Sequence, residues 1–458
     1  MPAKNDIVTL TITGMTAEGN GVGRSDGFAV FVPRTAVGDT VEVKLVKVLR
    51  SYAFGIVVRM LTPSPDRIEP DCPVFSRCGG CVFRHISYEA ELSIKEGFVS
   101  DAFTRIGGLS PLFEPILPAP HTDHYRNKAQ YPVGAGENGK LVCGFFAPRS
   151  HRIVPLTHCP LQPEEFGDIV GEALRLAEIH HIPAYDEQTH TGVLRHLYLR
   201  RGWHSGEIQF CFVATKAHPA FSKIGELLMS KFPVISSIIL NLNPTRTNVI
   251  LGKRCQTLTG KDTIADTMCG VGVELSPLSF YQVNTEQAER LYGLAREYAA
   301  LSKEETLLDL YCGTGIIGLS MAADVRQLIG VDIVPDAIEN ARANAEKAGI
   351  SNARFLCGDA AEAADTLRSE DIVPDCIVLD PPRKGCSPEL LHTIAAMSPS
   401  RVVMISCNPA TAARDCALLA DLGYRCERVR AVDMFPRTGH VEAVIMMTYC
   451  GSDKKNDR

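Results

Sequence analysis

Cys407 stands in the stretch MISCNPATAARD, residues 404–415. An apolar run (Val402, Val403, Met404, Ile405) reads there as a buried strand, and Asn408-Pro409 reads as a turn. Ala410 to Leu419 then reads as a helix. A thiol at such a junction can be buried filler, a metal ligand or a nucleophile. Asp380 is placed similarly: it closes the apolar run CIVLD and precedes Pro381-Pro382-Arg383-Lys384-Gly385. Two prolines restrict that loop and pre-set its shape. In an open α/β sheet ligands bind outside the carboxyl ends of the strands. A thiol and a carboxylate at two such ends therefore mark a candidate site.

A third strand end carries glycines. TLLDLYCGTGIIGLSMA reads as strand, turn and helix, and Gly313-Thr314-Gly315-Ile316-Ile317-Gly318 matches GxGxxG. That pattern alone suggests a dinucleotide. Asp309 is expected near the mouth of the loop, where it would repel a pyrophosphate but not the ammonium of S-adenosylmethionine. Asp332, in LIGVDIV, lies at the end of the next strand and suits ribose hydroxyls. Asp359 ends FLCGD and is placed to meet an adenine amino group. Any one of these carboxylates would pass as a helix cap or a loop residue. Three at successive strand ends around a glycine loop indicate a nucleoside cofactor.

The elements that must hold these residues follow from pattern and bulk composition. The chain has 458 residues, which suits two or three domains. Its 45% apolar and 22% charged residues are ordinary for a globular protein. No apolar run reaches the length of a membrane span, and MPAKNDIVTL lacks a signal-peptide core, so a cytoplasmic protein without membrane partners is expected. Sixteen cysteines in that compartment point to ligand or catalytic roles for some, rather than disulfides. A net charge of −6 gives no global attraction to nucleic acid, so any such binding must use local basic patches, and no DNA partner is expected.

Residues 1–62 alternate short β-type runs with glycine turns, which suggests an OB-like β-barrel. They hold seven Lys and Arg against five Asp and Glu, with Lys44, Lys47 and Arg50 close together. Residues 63–85 read as a Pro-rich linker and cysteine loop, and 86–264 as a central α+β domain. From 265 to 458 strands alternate with helices, the signature of a doubly wound, Rossmann-like α/β domain. The central stretch contains His124-Tyr125-Arg126-Asn127-Lys128, Arg195-His196 and Arg200-Arg201, cations beside an aromatic that suit phosphate contact and base stacking.

LDLYCGTGIIGL, VLDPPRKG, SCNPATAARD, DMFPRTGHVEAV and SFYQVN together resemble five motifs of the RNA uracil-5-methyltransferase family. Residues 1–62 resemble a TRAM domain, a small RNA-binding barrel. The likeness is to the branch that acts on 23S ribosomal RNA and carries an iron–sulfur cluster. It implies S-adenosylmethionine as cofactor, with Gln282, Tyr311, Asp332, Asp359 and Asp380 as cofactor and base-positioning residues. It makes Cys407 the nucleophile that adds to carbon 6 of a flipped uracil. It makes Glu442 the base that removes the carbon 5 proton, with His440 as runner-up.

Cys72, Cys78 and Cys81 form C-x5-C-x2-C. The resemblance supplies Cys159 as a fourth ligand and implies a structural 4Fe-4S cluster. On the residues alone, tetrahedral zinc with His85 replacing Cys159 stays open. A monomer acting on 23S ribosomal RNA is expected. Two other functions compete: an iron–sulfur pyridine-nucleotide oxidoreductase, and a non-enzymatic RNA-binding assembly factor. Asp309 and the DPPR and SCNP loops oppose the first; intact Cys407 and Glu442 oppose the second.

Overall fold

A computed structural model describes residues 2–136 and 139–451. The chain divides into two compact units. One comprises residues 1–71, 81–119 and 291–458, and the other 72–80 and 120–290. No helix among the described residues is long and apolar enough to cross a membrane.

In the first unit, β1 (Ile7–Met15), β2 (Asn20–Ser25), β3 (Phe28–Pro33), β4 (Thr40–Val48) and β5 (Tyr52–Thr62) close a barrel in the order β1-β2-β3-β5-β4. Period-two alternation makes it: Val41, Val43 and Leu45 are fully buried, while Glu42 and Lys44 between them are partly exposed. The five-stranded barrel expected from the sequence is present.

Helix α1 (Tyr88–Asp101) starts at Ser87, whose side chain accepts from the Ala90 N–H, and buries Glu91, Lys95 and Val99 along one stripe. Strand β6 (Leu112–Leu117) then joins the edge of the C-terminal sheet by pairing parallel to a distant strand. Residues 88–117 therefore sit in the first unit, although the pattern of the sequence assigns them to a central domain. Their local periodicity does not reveal a partner more than three hundred residues away.

The second unit holds a sheet of β7 (Lys128–Ala135), β8 (Leu141–Phe146), β9 (Ile153–Pro155), β10 (Leu194–Arg201), β11 (Ile208–Ala214), β12 (Ile235–Leu242) and β13 (Arg254–Gly260), ordered β13-β12-β11-β10-β7-β8-β9. Its one parallel pair, β11 with β12, is joined through helix α3 (Ala220–Lys231); α2 (Glu164–Ile179) lies earlier in the chain. Leu197 and Leu199 of β10 and Ala129 and Tyr131 of β7 face a core shared with Phe166 and Ile169 of α2. A hairpin, β14 (Ile264–Met268) with β15 (Val271–Leu275), also belongs to this unit. The boundary drawn at 265 on strand–helix alternation thus falls inside the unit, which runs to residue 290, within α4 (Thr285–Ala299).

The rest of the first unit is the doubly wound sheet: β16 (Thr306–Leu310), α5 (Ile316–Met321), β17 (Gln327–Asp332), α6 (Pro335–Lys347), β18 (Ala353–Cys357), α7 (Ala360–Ser369), β19 (Cys376–Leu379), α8 (Pro388–Met397), β20 (Arg401–Ser406), α9 (Pro409–Asp421), β21 (Tyr424–Val432) and β22 (Glu442–Tyr449). The strand order is β18-β17-β16-β19-β20-β22-β21-β6. Neighbours from β18 to β20 are parallel, and β22 enters antiparallel between β20 and β21. The order reverses between β16 and β19. That switch point opens a crevice at the carboxyl ends of the strands.

Candidate active site at the carboxyl ends of the parallel strands

The glycine loop is built from both ends. Tyr311 adopts φ +61° and Gly313 φ +53°, so the chain turns sharply off β16. Gly315, at φ +80°, begins α5; a Cβ there would meet Ala341 and the Phe355 ring at 3.1 Å. Gly313 has open space on its Cβ side, room that a ligand could occupy.

Asp332 closes β17, and both its oxygens meet backbone. Oδ2 accepts from Gly313 N–H and Oδ1 from Val334 N–H, each at 2.9 Å. The carboxylate fixes the loop and keeps lone pairs for a ligand's hydroxyls. Asp359 is exposed just before α7 and its carbonyl accepts from Ala363 N–H. Tyr311 is partly buried against the sheet core, and burial pushes its phenol above the usual range.

Asp309 differs from its expected place. It lies 1% exposed beneath the loop, not at its mouth. Oδ2 accepts from Gly318 N–H at 2.9 Å, and Oδ1 has no hydrogen-bond partner. Burial pushes this carboxyl up to about 7. Strand alternation explains the placement: Asp309 precedes the final residue of β16 and faces the helix, not the crevice. Electrostatic exclusion of a pyrophosphate by Asp309 is therefore withdrawn.

Cys407, Asp380 and Glu442 converge. β19 and β20 run parallel, with Leu379 beside Met404. β22 runs antiparallel, with Ala443 opposite Ser406, so Glu442 at its start faces the end of β20. Cys407 is half-buried between β20 and α9. Asn408 caps α9, accepting from Ala410 N–H, and its Nδ2 donates to the Arg383 carbonyl at 3.0 Å. The two loops thus hold each other.

The electrostatics of the three groups are coupled. Burial is the first cause pushing the Cys407 thiol up, followed by the Glu442 and Asp380 carboxylates; Arg383 opposes by charge and hydrogen bond. Glu442 is 8% exposed; burial, then Asp380, pushes its carboxyl up to about 8 against Arg383. Burial pushes Asp380 up to about 7. At neutral pH Glu442 mostly keeps its proton, which removes one of the negative charges that oppose a thiolate. Arg383 Nη2 lies 3.0 Å from His440 Nδ1. With Arg donating, that nitrogen is already occupied, which makes His440 the weaker base candidate.

Sequence reasoning missed what holds Glu442 in place. Lys95, fully buried, donates to Glu91 Oε1 (2.7 Å), Asp433 Oδ1 (2.6 Å) and the Phe435 carbonyl (3.1 Å). Tyr88 Oη donates to Asp433 Oδ2 at 2.8 Å, and Arg437 N–H to Glu91 Oε1 at 2.7 Å. This network anchors residues 433–437, which lead into Glu442, to α1. Gly439 presses on the barrel: a Cβ there would lie 1.7 Å from the Ala17 carbonyl. The sequence signal was an acid and a base four apart on the apolar stripe of α1.

The expectation for the central cations changes. Arg195, His196 and Arg200 are 3%, 6% and 1% exposed. Arg195 binds the carbonyls of Asn243, Thr245 and Thr247, so it braces a loop rather than meeting phosphate. Gln282 lies in the second unit, where its carbonyl accepts from Asn127 Nδ2 at 2.8 Å.

Cys72, Cys78 and Cys159 belong to the second unit, where burial and then the neighbouring Cys72 push the Cys78 thiol up. Among the described residues no three His, Cys, Asp or Glu side chains form a metal-binding group. Cys72 and Cys78 flank the small core of Val74, Ala147 and Val154. Cys81 belongs to the first unit, where Val82 and Phe83 N–H bond the Arg437 carbonyl. His85 is buried with Nε2 3.0 Å from the Thr35 carbonyl, so it is no zinc ligand here. The described residues give the expected 4Fe-4S centre, or a zinc centre, no support, and no chemistry is assigned to one.

Asp332→Ala is expected to weaken S-adenosylhomocysteine binding by about tenfold, because the loop loses its brace and the ligand its acceptor. Calorimetry with the full chain measures it; unchanged affinity would remove Asp332 from the ligand site.

Residues 271–449 match the tRNA (Uracil-5-)-methyltransferase family, and residues 4–58 match the TRAM domain. An uncharacterised RNA methyltransferase of Halalkalibacterium halodurans is 43% identical over 97% of each chain. One of Clostridium tetani is 41% identical over 99% of this chain and 98% of its own. A Pyrococcus abyssi tRNA (uracil-54, C5)-methyltransferase, solved with S-adenosyl-L-homocysteine, superposes with a TM-score of 0.76 at 26% identity. The match covers 96% of this chain and 99% of that one.

Proposed function

The chain belongs to the RNA uracil-5-methyltransferase family, and from that premise we propose that it methylates carbon 5 of a uridine through a covalent adduct on Cys407. One observation carries the reading: the antiparallel β22 sets a buried carboxyl, Glu442, across from a strand-end thiol, Cys407. S-adenosylmethionine, held at the Gly313 loop by Asp332 with Tyr311 and Asp359 nearby in sequence, supplies an electrophilic methyl group.

Carbon 5 of uracil is a weak nucleophile. The Cys407 thiolate adds to carbon 6, forming a C–S bond and moving the ring's electrons into an enolate. Arg383 favours that thiolate. Carbon 5 of the enolate then takes the methyl; the S–CH3 bond breaks, its electron pair stays on the sulfur, and S-adenosylhomocysteine leaves. Glu442, in its ionised form, accepts the remaining carbon 5 proton, the C–S bond breaks, and its electron pair returns to sulfur. A carboxylate whose conjugate acid titrates near 8 is a stronger base than an ordinary one, which suits this step. Asp380, beside both groups, is proposed to orient the uracil.

The proposed substrate is 23S ribosomal RNA. Support comes from the resemblance of the motifs; the Pyrococcus neighbour's action on tRNA makes tRNA the alternative outcome. Mapping 5-methyluridine in ribosomal and transfer RNA from a strain lacking the protein is expected to show loss from 23S RNA alone. Loss from tRNA would overturn that assignment, and no loss from either would overturn the activity.

A further inference from the structure

The second unit contains a group of charges that its own fold does not balance. Lys128 opens β7 and lies directly opposite Arg200 of β10 in the antiparallel register. Opposed residues of such a pair share one face of the sheet, and like charges there destabilise it. Arg200 is 1% exposed. Its two Nη groups donate to neutral carbonyls, those of Ser276 (2.9 Å) and Ser279 (2.7 Å), and its Nε has no partner. Lys128 is partly buried and makes no side-chain hydrogen bond or ion pair among the described residues. Arg126, two residues earlier on the chain, is likewise without a side-chain partner among them.

Burial, then Arg200 and then Arg126, pull the Lys128 ammonium down to about 8, and no carboxylate pulls it back. Burying a cation without a counter-charge is costly, and the cost is tolerated where a ligand supplies the missing charge.

We propose that Lys128, Arg126 and Arg200 form a binding site for a phosphate group of the RNA backbone. The proposal rests on the reading that RNA is the substrate. Arg200, locked by two carbonyls, is a fixed charge that cannot leave, whereas Lys128 and Arg126 keep free donors for phosphate oxygens. A whole-chain charge of −6 gives RNA no general attraction, so a local site of this kind has to supply it. The chemistry also fits the carboxylate of the cofactor's methionine, and the experiment separates the two.

The probe is a uridine oligonucleotide, since a backbone contact does not depend on target sequence. Full-length wild type and Lys128→Met are titrated by fluorescence anisotropy over a range of KCl. The variant is expected to bind about fivefold to tenfold more weakly, with a plot of log affinity against log salt shallower by about 0.7, one phosphate contact. It is also expected to unfold at a higher temperature, because an unbalanced charge is gone. Lys128→Arg is expected to keep the wild-type slope.

Unchanged affinity and slope in Lys128→Met would overturn the site. So would a loss of S-adenosylhomocysteine affinity in parallel, which would give the charge to the cofactor. A lower unfolding temperature with weaker binding would make Lys128 structural and also overturn it. None of these readouts requires methyl transfer, so failure of the proposed activity would be seen separately, as wild type that binds the oligonucleotide but produces no 5-methyluridine.

Discussion

Glu442→Gln protein mixed with its RNA and S-adenosylmethionine is expected to stay attached to the RNA through denaturing electrophoresis, while Cys407→Ala forms no such complex. The two variants separate because they stop at different bonds. Without the Cys407 sulfur nothing adds to carbon 6, and turnover is expected to fall by at least about a thousandfold, as when a covalent nucleophile is removed. With Gln at 442 the thiolate still adds and the methyl still transfers. The carbon 5 proton then has no acceptor, and the C–S bond cannot break by elimination.

Gln at 442 is neutral, as Glu442 mostly is at pH 7, and puts no charge against the thiolate, so the forward addition is expected to survive. The double variant Glu442→Gln, Cys407→Ala should lose the complex. His440 is the fallback base, but its Nδ1 already faces Arg383 Nη2 at 3.0 Å. Appreciable turnover in Glu442→Gln, or an adduct on any residue other than Cys407, would refute the assignment.

The second large effect concerns stability. Burial pushes Glu442 up to about 8 and Asp380 up to about 7 in the folded chain, against about 4.3 and about 3.9 when unfolded. Between those values the folded state binds more protons than the unfolded state. Stability from these two groups is therefore fully present below about pH 4 and is lost as pH rises through 7 and 8. Glu442→Gln keeps the neutral form at every pH. It is expected to unfold several degrees above wild type at pH 9, with the gap closing towards pH 4. Thermal unfolding followed by circular dichroism at the two pH values tests this. A variant less stable than wild type at pH 9 would mean that Arg383 stabilises the Glu442 carboxylate more than burial penalises it.

A gain of stability on neutralising a residue that the reaction needs is the usual mark of a site kept under strain for function. Lys128 is proposed to be a second such residue.

Much of the frame could be read from residues alone. Alternation in TVEVKLVKV implied the barrel wall, and it is one. LLDLY followed by Gly313, Gly315 and Gly318 implied a strand, a tight turn and a helix, because only glycine accepts the φ of +80° and the close approach at 315. The place of Cys407 at a strand end followed from an apolar run stopped by Asn408-Pro409. These are local properties: sidedness, turn chemistry and backbone freedom act over a few residues.

What the sequence could not decide was pairing between distant segments. A run such as EAVIMMTY reads as a strand wherever it goes. Only its antiparallel insertion beside β20 sets Glu442 opposite the end that carries Cys407. Arg195 and Arg200 looked like exposed cations until neighbouring segments covered them with carbonyl acceptors. Cys72, Cys78, Cys81 and Cys159 have suggestive spacing, yet spacing along a chain does not fix distance in space, and no metal-binding group is found among the described residues. Strand register, burial of a charge and the meeting of ligands are all settled by contacts between residues far apart in sequence, whose cost in chain entropy is repaid only when the whole sheet forms.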